Sequence, residues 1–183
     1  MQIKNKHLFL KYALPCASVL IKRGWVKKEI IDRLKEKVLS GENIDEDVRC
    51  IFVVASSLCS LIAKKMKKRK IDDDVIRKYF WYYHDEVVDN RYEKMRDFDP
   101  VLCKTYPGKI LEVRDQDIVV ETPRGRVTCR ESFENVKPGD SVVIHYNYII
   151  EKIDEQTAKK LSREFGVEIM QAKEVKGVRI IRE

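Results

Sequence analysis

Glycine and proline are scarce in this sequence, with 7 Gly and 5 Pro among 183 residues. This excludes the low-complexity and collagen-like classes, which are rich in these residues. No segment recurs at a fixed period, so repeat architectures are excluded as well. With 44% hydrophobic and 37% charged residues, the chain can bury a core and keep a charged surface. We therefore expect a folded protein with one large domain or two small ones.

Long apolar runs are also missing. The longest, CIFVVASSLCSLIA at 50–63, has 14 residues, fewer than the roughly 20 that a bilayer span needs. The basic N-terminal stretch does not resemble a secretory signal, because Lys11 interrupts its apolar run and no small-residue cleavage site follows. We expect a cytoplasmic protein without a membrane element, in which residues 50–63 form a buried core helix.

The sequence has five cysteines but no CxxC pair. An odd count without paired spacing argues against a disulfide framework and against a structural zinc finger. Cys16, Cys50 and Cys59 lie in apolar helical patterns and are predicted to be packing residues. Cys129 is predicted to be an ordinary strand residue. The fifth, Cys103, precedes a Pro-Gly pair and can be a buried thiol or a metal ligand.

Catalytic motifs are absent too. We find no nucleophile–base pair, phosphate-binding loop or multi-ligand metal spacing, and so do not expect an enzyme. His84, Asp85 and Glu86 are adjacent, but consecutive helical residues point to different faces and no second His lies at i+4. We predict that they lie on a helix surface.

Residues 1–99 are predicted to form an all-α bundle of about four helices. The first spans about 6–23 with a bend at Pro15, and the second has an apolar residue every fourth position before a C-capping Gly41. The third carries the apolar run after a cap at Asn43 or Asp45. The fourth begins at the acidic triplet 72–74 and continues through 75–95.

Residues 100–183 are predicted to form a small OB-like five-stranded β-barrel followed by a helix. Short alternating segments are separated by turns at 115–116, 123–125 and 138–140. The helix is expected between a capping Asp154 and Gly166, while the fold of 167–183 is left open. The sequence therefore predicts an α+β protein with a domain boundary near Asp99–Pro100.

The formal charge of +7 is concentrated in the helical half, because residues 1–100 carry 22 Lys/Arg against 16 Asp/Glu. A basic run at 64–70 indicates a solvated helix end or nucleic-acid contact, and the aromatic run 79–83 indicates packing against the barrel or a protein-binding patch. One hypothesis is therefore a nucleic-acid-binding protein with a basic helical domain and a small barrel.

The second half also shows an ordered series of motifs. Cys103 is followed by Pro107-Gly108-Lys109-Ile110, then by the turn Pro138-Gly139-Asp140 and by VVIHYNYIIEKIDEQTA at 142–158. Over about 102–165 this resembles the HypC/HupF family of hydrogenase-assembly chaperones, while residues 1–100 do not match that family's small core. In the family the cysteine follows the initiator Met, whereas the nitrogen of Cys103 is in a peptide bond.

The resemblance implies a metallochaperone that carries an Fe(CN)2CO fragment between a HypD-like scaffold and the large subunit of a nickel-iron hydrogenase. Cys103 stands at the family's essential cysteine and His145 at its histidine, so both are expected to be iron ligands. Thiolate and imidazole suit iron, and two protein ligands can release a fragment that four would retain. For His145 the alternative is a strand residue that faces away from the barrel.

Partner contacts are expected around the same motifs. The resemblance implies that the scaffold contacts the cysteine, the Pro-Gly-Lys segment and the tyrosines after the histidine: Cys103, Pro107, Gly108, Lys109, Tyr146 and Tyr148. The family's Gly-Phe-Ala-Ile after the histidine is replaced here by a different sequence at 146–150.

Overall fold

A computed structural model describes residues 1–92, 103–115 and 117–175, with side chains described for 1–90, 103–115 and 117–165. The helices in these ranges are α1 Lys6–Ala13, α2 Ala17–Lys22, α3 Lys28–Ser40, α4 Val48–Ile51, α5 Val53–Lys65, α6 Asp73–Tyr82, α7 His84–Tyr92 and α8 Glu155–Val175. A 3-10 turn, Leu14–Cys16, joins α1 to α2 and contains Pro15, where a bend was predicted. No helix in these ranges is both long enough and apolar enough to span a membrane.

Six strands follow the helices: β1 Thr105–Arg114, β2 Asp117–Thr122, β3 Gly125–Cys129, β4 Glu131–Ser132, β5 Ser141–His145 and β6 Tyr148–Ile153. They form one sheet in the order β3-β2-β1-β5-β6-β4, antiparallel except for the β4–β6 pair. The α+β class is thus confirmed, and the third of the five predicted strands, RVTCRES at 126–132, is divided into β3 and the two-residue β4. In the described residues the sheet is open rather than closed on itself, so the predicted barrel is not confirmed.

The main hydrophobic core joins the helices to the sheet. Phe9, Tyr12 and Phe80 from the helices pack in one buried cluster with Val143 of β5 and Ile150 of β6. A second cluster, which includes Ile110, Val120 and Ile144, fills the other face of the sheet beneath Phe165 of α8. The helical segment therefore covers the sheet at β5 and β6, and the division at residue 100 stays a prediction because residues 93–102 lie outside the described ranges.

Two predicted helices are each divided in the structure. The third is interrupted at Phe52, which is buried in a non-helical conformation, and its N-cap is Asp47 rather than Asn43 or Asp45. The fourth is capped by Asp72, as the acidic triplet indicated, but ends at Tyr83. His84 begins α7 four residues after buried Phe80 and has only 5% of its surface exposed. The prediction that His84 lies on a helix surface is wrong.

The Pro-Gly pair lies inside a strand, and the last helix is longer than predicted. Pro107 and Gly108 belong to β1 and pair with Val143 and Val142, respectively. Glycine is required there because a Cβ on Gly108 would stand 2.5 Å from Cγ1 of Val120. The final helix is capped by Asp154, as predicted, but continues past Gly166 to Val175.

Candidate metal centre

The pairing of β1 with β5 brings Cys103 to His145. Thr105 stands opposite His145 in the antiparallel register, and Cys103 lies two residues before Thr105. Its Sγ lies 3.7 Å from Nε2 of His145. Cys103 is 2% exposed and His145 is fully buried, so the sheet holds this thiol and imidazole together inside the protein.

The helical segment adds a second thiol. Cys16 ends the 3-10 turn that contains Pro15, and its Sγ lies 2.9 Å from Sγ of Cys103 and 3.1 Å from Nε2 of His145. This sulfur–sulfur distance is longer than the roughly 2.05 Å of a disulfide, and both cysteines are free. Cys16 therefore faces the pair formed by the sheet.

His84 is the fourth member of the cluster. It begins α7, and its Nε2 lies 3.9 Å from Sγ of Cys16. One ligand atom from each of Cys16, His84, Cys103 and His145 lies within 4.8 Å of the others. Two thiols and two imidazoles thus converge from four separate parts of the chain; we call them the Cys2His2 cluster.

Both imidazole rings are held by hydrogen bonds at Nδ1. In His145, Nδ1 lies 2.8 Å from the backbone oxygen of Tyr12, and in His84, Nδ1 lies 3.2 Å from Oδ1 of Asp85. A carbonyl or carboxylate oxygen only accepts, so each Nδ1 donates and each Nε2 faces the sulfurs. Asp85 is itself held by the backbone N–H of Thr105 at 3.1 Å. Metal-binding histidines are commonly oriented in this way.

The cluster strongly perturbs its own ionisation. The hydrogen bond from the Cys16 thiol, together with the neighbouring His145 and His84 imidazoles, outweighs burial and lowers the pKa of Cys103 to about 3. The hydrogen bond between Cys16 and Cys103, together with burial, raises the pKa of Cys16 well above its ordinary value. Burial alone would lower the pKa of His84, but Asp85 and Cys103 raise it to about 9. These shifts favour the thiolate form of Cys103, which is the form that binds a metal.

A mostly apolar cavity of about 240 Å³ adjoins the cluster. Cys16, His84 and Cys103 line it together with apolar side chains that include Val19 and Val88. The cavity gives a metal at the sulfurs room for small non-protein ligands.

The comparisons with known proteins concern the sheet segment. Residues 102–165 match the HupF/HypC family model. Over 67 residues the chain is 33% identical to the hydrogenase maturation factor HypC of Helicobacter hepaticus, an alignment that covers 34% of this chain and 76% of that protein. The chain belongs to the HupF/HypC family. This confirms the resemblance found in the sequence. Cys103 and His145 lie within the HupF/HypC segment, whereas Cys16 and His84 precede it.

The predicted partner-contact residues of the HupF/HypC segment differ in accessibility. Pro107 and Gly108 are buried in β1, while the Lys109 side chain is exposed. Tyr146 and Tyr148 are partly buried, and Tyr146 has φ 53°, in the left-handed turn that joins β5 to β6. Their role in partner binding stays a prediction.

Sequence reasoning assigned Cys16 to packing and His84 to a helix surface, and so missed half of the Cys2His2 cluster. Cys16 and His84 are separated by 68 residues, and neither has a second ligand at metal-site spacing. Two local signals exist: Cys16 directly follows Pro15, and His84 follows Ile76 and Phe80 at the four-residue spacing of an apolar helix face. Their meeting depends on how α1 and α6 dock on β5, which no local pattern specifies.

Proposed function

We propose that this protein is a hydrogenase-maturation chaperone that acts in the cytoplasm by binding and transferring a metal fragment rather than by catalysis. Membership of the HupF/HypC family supports this, as does the identity shared with a hydrogenase maturation factor. The cargo is an iron fragment with cyanide and carbonyl ligands. It is received from a HypD-like scaffold and delivered to the large subunit of a nickel-iron hydrogenase.

The observation that carries the proposal is the 3.7 Å approach of Cys103 Sγ to His145 Nε2 inside the HupF/HypC segment. A soft thiolate and an imidazole are suitable ligands for iron. Two protein ligands leave the remaining coordination positions for cyanide and carbonyl. The adjoining apolar cavity provides space for these small ligands at the sulfur.

Transfer requires access to Cys103. In the structure its side chain is covered by Val19 of α2 and Val88 of α7. A scaffold must therefore displace part of the helical segment before it can reach the thiolate. The partner face proposed for this step comprises Cys103, Pro107, Gly108, Lys109, Tyr146 and Tyr148.

Infrared spectroscopy of the protein purified anaerobically from cells that make the scaffold tests the proposal. We expect cyanide and carbonyl stretching bands on the wild-type chain and their loss in Cys103→Ala and His145→Ala. Cys129→Ala is the matched control, since Cys129 is a buried thiol of the same segment outside the cluster, and it should retain the bands. Bands that are absent from the wild type, or that persist in Cys103→Ala, would contradict the proposal.

A further inference from the structure

Cys16 and His84 lie outside the HupF/HypC segment, yet their ligand atoms face those of Cys103 and His145. We propose that the Cys2His2 cluster binds one divalent metal ion in tetrahedral coordination, zinc being the best match. The helical segment supplies two ligands and the HupF/HypC segment the other two. This goes beyond the proposed function, since it requires neither the iron fragment nor a hydrogenase.

The distances fit a tetrahedral ion. Bonds of about 2.3 Å to sulfur and about 2.0–2.1 Å to nitrogen place tetrahedral ligand atoms roughly 3.3–3.8 Å apart. Sγ of Cys16 lies 2.9, 3.1 and 3.9 Å from the ligand atoms of Cys103, His145 and His84, and all four atoms lie within 4.8 Å. Changes of up to about 1.5 Å in these separations, within the reach of side-chain rotation, would therefore centre an ion.

The charges fit as well. Two thiolates neutralise a divalent ion, and a neutral centre reduces the cost of burying charge. That matters here because the ring of Phe80 lies 5.5 Å from that of His84 and 6.0 Å from that of His145, with Val19 and Val88 packed at Cys103.

The outer contacts support the same conclusion. The bonds of His145 to the Tyr12 carbonyl and of His84 to Asp85 leave both Nε2 atoms directed inward. A buried histidine that served only packing would not require its second nitrogen to face two sulfurs. Oriented imidazoles with a carbonyl or carboxylate behind them are the usual arrangement around protein-bound zinc.

The donor set selects the metal class. Two sulfurs and two imidazoles favour zinc over magnesium or calcium, which require oxygen ligands. Four protein ligands form a closed site that retains its ion. An iron with three cyanide and carbonyl ligands has three of six positions left and cannot accept all four side chains. The tetrahedral ion and the iron fragment therefore exclude each other.

Cobalt(II) is the probe for coordination, because its visible bands are intense only in tetrahedral sites. We expect the reduced full chain to bind one Co²⁺, with thiolate-to-cobalt charge-transfer bands that one equivalent of Zn²⁺ abolishes. X-ray absorption on the zinc-loaded wild type should give two sulfur and two nitrogen ligands. This measurement needs no variant, so it does not depend on whether a substituted chain folds.

Variants then test the helical ligands. Cys16→Ser should remove about half of the charge-transfer intensity, and Cys16→Ser and His84→Gln should each weaken binding by more than the 10–100-fold typical for loss of an outer contact. Cys50→Ser and His7→Gln are matched controls on the same segment and should bind like the wild type. Far-UV circular dichroism checks that each variant folds.

A folded wild type that binds no Co²⁺, or octahedral cobalt bands, would overturn the proposal. So would a single sulfur in the absorption spectrum, or tetrahedral binding unaffected by both Cys16→Ser and His84→Gln. Because zinc and the iron fragment exclude each other, the infrared test is read on chain that metal analysis shows to be free of zinc. Loss of cyanide and carbonyl bands would remove the proposed cargo without changing the zinc result, and the converse also holds.

Discussion

Nδ1 of His145 donates a hydrogen bond to the backbone oxygen of Tyr12 over 2.8 Å, and this bond joins the sheet to the first helix at the Cys2His2 cluster. The Tyr12 hydroxyl also contacts the carboxylate of Glu151 on β6 and accepts a hydrogen bond from Trp81 Nε1 at 2.5 Å. Tyr12 thus orients a cluster histidine and anchors α1 on β5 and β6. Cys16 follows four residues later, so the same contacts bring its thiol to the cluster.

The buried carboxylate of Glu151 depends on Arg77. The guanidinium donates to both carboxylate oxygens, at 3.1 and 2.8 Å, while the Glu151 side chain is 8% exposed. In Arg77→Met the anion would lose its cation but stay buried, so we expect the free energy of unfolding to fall by about 1–3 kcal/mol. Denaturant titration measures this loss.

Arg126→Met is the matched control, because Arg126 pairs with Glu121 and both side chains are largely exposed. Its expected change is below about 0.5 kcal/mol. In the double variant Arg77→Met/Glu151→Gln much of the stability should return, since no charge is left unpaired. Equal losses of unfolding free energy in Arg77→Met and Arg126→Met would show that the buried ion pair does not anchor the helices on β6.

Gly108 is predicted to be intolerant of a methyl group. A Cβ on Gly108 would lie 2.5 Å from Val120 Cγ1 and 3.1 Å from the Glu121 carbonyl oxygen, too close for either contact. Gly108→Ala should therefore lower the free energy of unfolding by about 1–3 kcal/mol, the usual cost of overpacking. Lys109→Ala, at the exposed neighbouring position, is the control and should change it by less than about 0.5 kcal/mol. A neutral Gly108→Ala would show that β1 and β2 can separate without cost.

The N-cap of α6 should give a pH-dependent contribution. Although burial acts in the opposite direction, Lys68 Nζ at 2.7 Å and the Val75 N–H lower the pKa of Asp72. A carboxylate with a lower pKa in the folded state stabilises it fully above its unfolded pKa of about 4. That contribution decreases as the pH falls below about 4, because the proton binds more tightly to the unfolded chain.

Asp72→Asn keeps the capping oxygen but removes the charge. We expect it to be less stable than the wild type by up to about 1 kcal/mol at pH 7, with the difference shrinking as the pH falls from about 5 to about 2. Thermal unfolding at several pH values measures this. Asp117→Asn, which changes an exposed partner of Arg130, serves as the control and should show a change below about 0.5 kcal/mol throughout. A difference for Asp72→Asn that grows toward low pH would contradict the assigned sign.

Local patterns predicted much of the fold. The four-residue apolar spacing before Gly41 predicted α3, and Gly41 ends it in the left-handed conformation with φ 74°. The turn residues around 123–125 and 138–140 located the strands, because Gly125 and Gly139 adopt the positive φ that those turns need. Each of these patterns depends on only a few neighbouring residues.

The breaks at Phe52 and Tyr83 could not be predicted in the same way. Neither position has a glycine or proline, and Phe52 leaves the helical conformation with its ring in the core. Cys103 and His145 were identified because family motifs surround them, while Cys16 and His84 have no such motif. Their contribution to the cluster arises only from the tertiary packing of α1, α6 and β5.

Cysteine reactivity should distinguish the cluster from ordinary buried thiols. Burial raises the pKa of both Cys59 and Cys129 to about 12, so at pH 7 almost none of these groups is a reactive thiolate. In the folded metal-free protein we expect iodoacetamide to modify exposed Cys50 first and to leave Cys59 and Cys129 unmodified until the chain unfolds. Mass spectrometry of peptides from time-quenched samples gives the order.

Among the thiols that react in the folded protein, zinc should then slow those of the cluster and leave Cys50 unchanged. With Zn²⁺ at about 1,000 times its dissociation constant, the folded state gains about 4 kcal/mol, so the midpoint of thermal unfolding rises. Alkylation of Cys16 and Cys103 should slow together, and a chelator should restore both rates, while Cys50 remains the unchanged control. Joint protection is the expected signature because one ion coordinates both sulfurs, which lie 2.9 Å apart in the structure. Protection of Cys103 without Cys16 would instead mean that the helical segment supplies no thiolate to the metal.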